Sequence, residues 1–286
     1  DIEVQLAQRK IRKSEFREGV FIFIRGLAKK VILANCIGKL HETILGHSQM
    51  SVLTAWIGAL AYTIQIFNDF SGYSDMAIGL GKMLGFDFCI NFDRPYSALS
   101  VTDFWRRWHI SLGTWFREYV YIPLGGNRVS KGRWFFNIFV VWALTGLWHG
   151  AALNFVLWGL LFAVLLMIEK HWLLERLNKA KVWNHLYVLL VVMISFVLFN
   201  ASSLKEAAVY IGGMFGFGNV PFMSAECAYY LRSYAVLLLA AAIGSMPWVK
   251  ETAVRFTKTT FGEKVMPVIR PVWLVALLAV CTAYLI

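Results

Sequence analysis

Two histidines stand in surroundings that are otherwise aromatic and aliphatic. His109 closes the run S-V-T-D-F-W-R-R-W-H, and His149 lies inside G-L-W-H-G. An ionisable group in a membrane segment is a functional candidate by default, because its charged form is costly there. A neutral imidazole can take a proton from a hydroxyl and hand it to a leaving group, which is worth about 10²–10⁴-fold in rate. Transfer of an acyl group from a thioester to an alcohol needs this and little else, since the donor is already activated.

The neighbours of His149 suit such a role. Trp148 is bulky and fixes its environment, and Gly146 and Gly150 allow close backbone approach. Asn154 is placed to hydrogen-bond an oxyanion or a substrate hydroxyl. The bland alternative is a histidine packed between helices and bonded to a carbonyl. His109 follows Arg106 and Arg107, which suit a phosphate of a carrier or coenzyme, or lipid headgroups. Other chemistries fit less well. The chain lacks G-x-S-x-G and H-E-x-x-H, and Met83 stands after Gly81-Lys82 where a phosphate loop needs Ser or Thr. No metal site is expected, and the other histidines (His41, His47, His171 and His185) receive no role.

These residues need helices in a membrane to hold them. The 286 residues are 58% hydrophobic and only 16% charged, with a mean hydropathy of +0.59. A soluble domain carries about 25% charged residues. Several long apolar runs exceed what a water-soluble core needs, so the expected fold is all-α and multi-span. Twelve tryptophans and eleven tyrosines suit two membrane–water interfaces. The formal charge of +11 lies between apolar runs, which points to an anionic membrane surface and away from nucleic acid. Cys36, Cys89, Cys227 and Cys281 are widely spaced and read as small hydrophobes. The basic stretch that follows Asp1 resembles a loop entered from an earlier segment, so residues 1–286 read as one membrane-embedded domain from a longer chain.

Along the chain, residues 19–38 are apolar but carry Arg25, Lys29 and Lys30, as in an interfacial helix or a span with snorkelling side chains. Ser51 to Phe67 is long enough to cross. Asn68 to Gly85, with Asp69, Asp75 and four glycines, predicts a broken or re-entrant segment, its glycines serving close helix packing rather than ligand binding. Ser100 and Asp103 predict a capping box that opens one amphipathic helix running through His109 to Pro123. Gly125-Gly126-Asn127 makes a turn. Trp134 to Gly150 and Ala151 to Ile168 predict a hairpin with W-H-G-A at its turn. Trp183 to Ala201, Ala228 to Met246 and Val268 to Ile286 predict three more spans.

Loop charge gives an orientation. Loops 123–133, 170–183 and 247–270 carry three, four and five Lys or Arg, and 204–227 carries one. The first, second and fourth are then cytoplasmic. On that reading His109 is on the cytoplasmic side, and His149 faces it across the bilayer through a polar passage.

The ordered runs D-F-S-G-Y-S-D-M-A-I-G, N-F-D-R-P-Y, F-W-R-R-W-H-I-S-L, Y-I-P-L-G-G-N-R and G-L-W-H-G resemble the membrane-bound O-acyltransferase family, in its bacterial alginate O-acetyltransferase branch. The resemblance covers about residues 10–170 closely. It implies a multi-helix membrane core with amphipathic or re-entrant helices around a buried tunnel. It implies His149 as the catalytic histidine and His109 as the second active-site histidine. It implies acetyl transfer from a cytoplasmic donor, acetyl-coenzyme A or an acyl carrier, with no bound cofactor. The acceptor implied is an extracytoplasmic polysaccharide, reached directly or through partner acetyltransferase proteins. The Y-I-P-L-G-G-N-R loop favours polysaccharide acetylation over D-alanyl transfer, and it also occurs in relatives that act on peptidoglycan or cellulose. Rivals from other classes are a polysaccharide or solute transporter that uses Asp69 and Asp75 as a relay, and a non-catalytic membrane scaffold.

Overall fold

The computed structural model describes residues 2–46, 50–180, 182–245 and 247–285. His47, Lys181 and the end residues Met246 and Ile286 of two expected spans lie outside them. The helices are α1 (Ile2–Gln8), α2 (Lys13–Ala28), α3 (Asn35–Gly46), α4 (Val52–Met83), α5 (Val101–Arg107), α6 (Ile110–Phe116), α7 (Lys131–His149), α8 (Leu153–Ile168), α9 (Leu174–Lys179), α10 (Trp183–Asn200), α11 (Leu204–Met214), α12 (Ala225–Gly244), α13 (Pro247–Thr257) and α14 (Thr260–Leu285). Wider π-helical turns occur at Lys29–Ala34, Arg117–Tyr121 and Glu169–Leu173. No β-strand forms among the described residues. The protein is thus all-α, as its apolar runs predict.

Among the described residues, four helical stretches are long and apolar enough to cross a membrane: Leu153–Leu177, Trp183–Asn200, Ala225–Gly244 and Thr260–Leu285. Only 6% of the most apolar window of the last is buried within the protein, so its apolar side chains face outward, where lipid solvates them. The expected spans at 51–67 and 134–150 are helical but are not among these four.

Contacts divide the chain into two compact units. The first comprises residues 1–43, 64–91 and 231–286. In it, α2 crosses the second half of α4 at closest approach. A Cβ on Gly19 would lie 2.6 Å from the Gly79 carbonyl oxygen, and one on Gly26 would lie 2.6 Å from that of Gly72. Asp75 pairs with Lys29 at 2.8 Å and Arg25 at 3.2 Å, and Asp69 pairs with Lys30. The guanidinium of Arg270 on α14 sits 3.8 Å from the Phe21 ring of α2. The expected break at 68–85 therefore does not form. The glycines are spent on close packing, the acids are neutralised by α2 and the turn after it, and the helix runs on to Met83. The same pairs explain Arg25, Lys29 and Lys30 without snorkelling.

The second unit comprises residues 44–63 and 92–230. Its centre is the α7–α8 hairpin. Gly146 lets the Phe155 carbonyl come within 2.5 Å of where a Cβ would be, and Gly159 similarly admits the Trp142 carbonyl. Val101, Trp142, Trp158, Phe162 and Ala163 form a buried cluster. Trp105 of α5 docks into it, with ring centroids 4.8 Å from Trp142 and from Phe162. An inserted aromatic side chain of this size dominates local packing, so α5 is locked beside the hairpin.

Candidate active site

The Ser100 half of the capping box forms, its hydroxyl accepting from the Asp103 N–H at 3.0 Å, while the Asp103 carboxylate accepts from the Leu99 N–H at 3.2 Å rather than from Ser100. The helix it opens is shorter than its periodicity predicts. It stops at Arg107, and His109 adopts a left-handed conformation (φ 47°, ψ 55°) before α6 begins. The cause is tertiary. Trp108 is pulled into extended geometry by a bridge to Phe92, the Asp93 N–H donates to the Arg107 carbonyl at 3.0 Å, and the Trp108 indole packs on Phe92 and Phe104. A non-glycine residue in this region is uncommon, and such strain clusters at functional sites.

His109 lies on a cavity of about 700 Å³, within the size range of small-molecule sites. Its walls are apolar, from Trp105, Trp108, Leu112, Phe116, Trp134 and Trp142, and its cations are Arg106, Arg117 and Lys170, with no acid in the lining. Lys170 also sits 4.1 Å from the Trp134 ring centroid. The Y-I-P-L-G-G-N-R loop closes one side. The Tyr121 hydroxyl accepts from the Trp134 indole N–H at 2.9 Å and donates to Asn127, while the Asn137 amide donates to the Leu124 and Gly126 carbonyls at 3.1 and 3.3 Å. Burial pushes the His109 imidazole down to about 4, so it is neutral at physiological pH.

His149 ends α7 and does not line this cavity. Its ring stands edge-on to Trp158 at 5.2 Å and to Phe199 at 5.1 Å. Trp148 links the two histidines, with ring centroids 4.9 Å from His149 and 5.8 Å from His109. The imidazoles are one indole apart. They do not face each other from opposite sides of a hydrocarbon layer about 30 Å thick. Charge counting addresses the loop at 123–133 and carries no information on α5, which Trp105 draws in beside the hairpin.

The remaining expected residues divide. Arg106 reaches the cavity. Arg107 turns back to Asp103 at 2.9 Å. Asn154 gives its amide N–H groups to the carbonyls of Ala201 at 3.0 Å and Phe199 at 3.4 Å, so its donors are used within the protein and its side-chain oxygen is an acceptor. Trp148 is 57% exposed and packs against both imidazoles.

Sequence reasoning passed over Arg117, Lys170 and Glu169. Lys170 was legible only as a loop charge, and Glu169 only as the end of an apolar run. Glu169 is fully buried. It accepts from the Val101 N–H at 2.6 Å, the Thr102 N–H at 2.8 Å and the Thr102 hydroxyl at 2.6 Å.

Comparison with known proteins agrees with the motifs. The membrane-bound O-acyltransferase family matches residues 10–207. A protein of Pseudomonas aeruginosa described as a "probable alginate O-acetylase" (AlgI) is 44% identical over 223 residues, 77% of this chain and 42% of that protein. Its Azotobacter vinelandii counterpart is 42% identical over 246 residues, 83% of this chain and 49% of that protein. A peptidoglycan O-acetyltransferase of Helicobacter pylori is 37% identical over 223 residues, 75% of this chain and 42% of that protein. The chain spans about half the length of the curated relatives it matches.

Proposed function

Because the chain belongs to the membrane-bound O-acyltransferase family, we propose that it is the acyl-transferring part of a bacterial inner-membrane O-acetyltransferase. Its acceptor is the hydroxyl of an extracytoplasmic polysaccharide of the alginate class, reached with the help of partner acetyltransferase proteins. The donor is a cytoplasmic thioester, acetyl-coenzyme A or an acyl carrier. One observation carries the reading: a strained histidine on an apolar cavity with cations and no acid in its lining, one indole away from the histidine of G-L-W-H-G.

His149 is the base. It takes the proton of the acceptor hydroxyl as the oxygen bonds to the thioester carbonyl. The C–S bond then breaks, and the thiolate leaves with the proton that His149 returns. His109, neutral, orients the reacting groups by hydrogen bonding. Arg106, with Lys170 and Arg117, attracts the phosphates of the donor. The Asn154 side-chain oxygen suits the acceptor hydroxyl. Surrounding lipid solvates the outward apolar faces.

The transporter reading loses its basis in a broken helix, since Asp69 and Asp75 are ion-paired within a continuous one. Peptidoglycan acetylation remains the second reading, favoured by the Helicobacter relative. The test is polymer-bound acetyl ester in cells making the full-length protein as wild type, His149→Ala or His109→Ala, each at matched membrane level. The expected result is ester at background in the first variant and strongly reduced in the second. Wild-type ester in both identifies a scaffold, and ester on peptidoglycan alone moves the acceptor to that polymer.

A further inference from the structure

Glu169 is a carboxylate with no exposed surface, in a segment otherwise rich in apolar side chains. A buried charge is costly unless hydrogen-bonded, and here the three hydrogen bonds named above go to the first turn of α5, with Tyr187 of α10 also beside the carboxylate. Ser100 takes the N–H of Asp103, and Glu169 takes those of Val101 and Thr102. Three of the four unpaired donors that open a helix are thereby answered, and a negative charge stands at the favourable end of its dipole.

The far end of α5 is held as firmly. The Asp93 N–H and the Phe92 bridge fix Arg107 and Trp108, and His109 follows directly. The helix has only two turns, so its two anchors set the position of everything on it, including Arg106 and the left-handed residue at 109. The π-helical turn Glu169–Leu173 completes the arrangement. It sends Glu169 inward onto α5, while its neighbour Lys170 lines the same cavity as Arg106 and His109. Such wide turns are frequent at functional sites.

We propose that Glu169 is a positioning residue of the acyl-transfer site, setting the place of His109 and Arg106 through three hydrogen bonds to the start of α5. The inference rests on the acyl-transfer reading. A buried ionic group is weak evidence for stability, because apolar packing of equal volume does as well. What an apolar side chain cannot do is fix the rotation and height of a short helix through three directed bonds.

Glu169→Gln is the sharp variant. It keeps the shape, but places an N–H₂ against N–H and hydroxyl donors. The experiment uses the full-length protein in cells, reads polymer-bound acetyl ester per molecule of membrane-inserted protein, and includes wild type and His149→Ala. The expected result is a fall of about 100-fold in rate per molecule for Glu169→Gln, the size reported for an ångström-scale misplacement of reacting groups. A second pair works even where the Gln variant fails to accumulate. Thr102→Ser keeps the hydroxyl that bonds Glu169 and should retain most activity, whereas Thr102→Val should lose it at equal protein level. A wild-type rate in Glu169→Gln, or equal rates in the two Thr102 variants, overturns the proposal. A wild-type rate in His149→Ala instead overturns the acyl-transfer reading on which it rests.

Discussion

A neutral imidazole and a nearby cation have separable jobs, and single substitutions can tell them apart. Burial lowers the pKa of His109 to about 4. The neutral form is therefore present throughout pH 6–8, and is lost only as pH falls through the lowered value. In proteoliposomes of the full-length protein, the rate should show no acid limb from this residue above about pH 5. A limb near pH 6.5 that disappears in His109→Gln would contradict this. Arg106 and Arg107 are adjacent but differently employed. Arg106→Ala should raise the donor concentration for half-maximal rate by about ten-fold, the loss of one charge-assisted contact. Arg107→Ala removes a partly exposed i,i+4 pair worth about 0.3–0.5 kcal/mol and should leave that concentration unchanged. Initial rates against donor concentration distinguish the two. The candidate histidines were legible because an ionisable residue among aromatics is conspicuous in sequence. The distinction between the two arginines was not, since it depends on which way a helix faces.

At the scale of elements, the two departures from the periodicity have the same kind of cause. The run from Asn68 to Gly85 carries every local sign of a break, yet it is helical to Met83 because α2 offers a matching glycine face, and α2 with the turn after it offers three cations. The stretch from Ser100 to Pro123 carries no glycine or proline within three residues of His109, yet it breaks there because Phe92 and Asp93 capture its backbone. Tertiary partners decided both, and neither partner is adjacent in sequence. Caps, turns and apolar runs are local, so the Ser100 cap, the Gly125-Gly126 turn and the α7–α8 hairpin formed as read. Gly26→Val should overpack the α2–α4 crossing, costing about 1–3 kcal/mol, seen as lower membrane level and lower melting temperature. His109→Gly should melt higher than His109→Ala, by an amount equivalent to about 1 kcal/mol, because glycine accepts the left-handed conformation. Both should be nearly inactive. Equal melting of the two would show that the conformation carries no strain.

For the whole molecule, membrane residence follows from four apolar helices whose faces are largely unburied, and the family follows from motifs in order along one stretch. The cavity-lining cations Lys170 and Arg117 and the buried Glu169 needed three dimensions, since no local pattern tells which residues of an amphipathic helix, and of the chain just after an apolar run, turn toward one cavity. Loop charge argues that the loop before α7 is cytoplasmic. A cysteine placed at Ser130, in that loop, should react with an impermeant thiol reagent only from the cytoplasmic face; reaction from the outside alone would invert the topology.

The central claim is that the imidazole of His149 carries acyl transfer. It is tested most directly with the purified full-length protein and its partners in proteoliposomes, given isotopically labelled acetyl-coenzyme A on the cytoplasmic face and a soluble uronate polymer on the other. Label fixed to polymer hydroxyls should fall by about 100-fold or more in His149→Ala at equal protein content, the scale of lost general-base help. Labelling at the wild-type rate in that variant would contradict the account and move the chemistry to a partner protein.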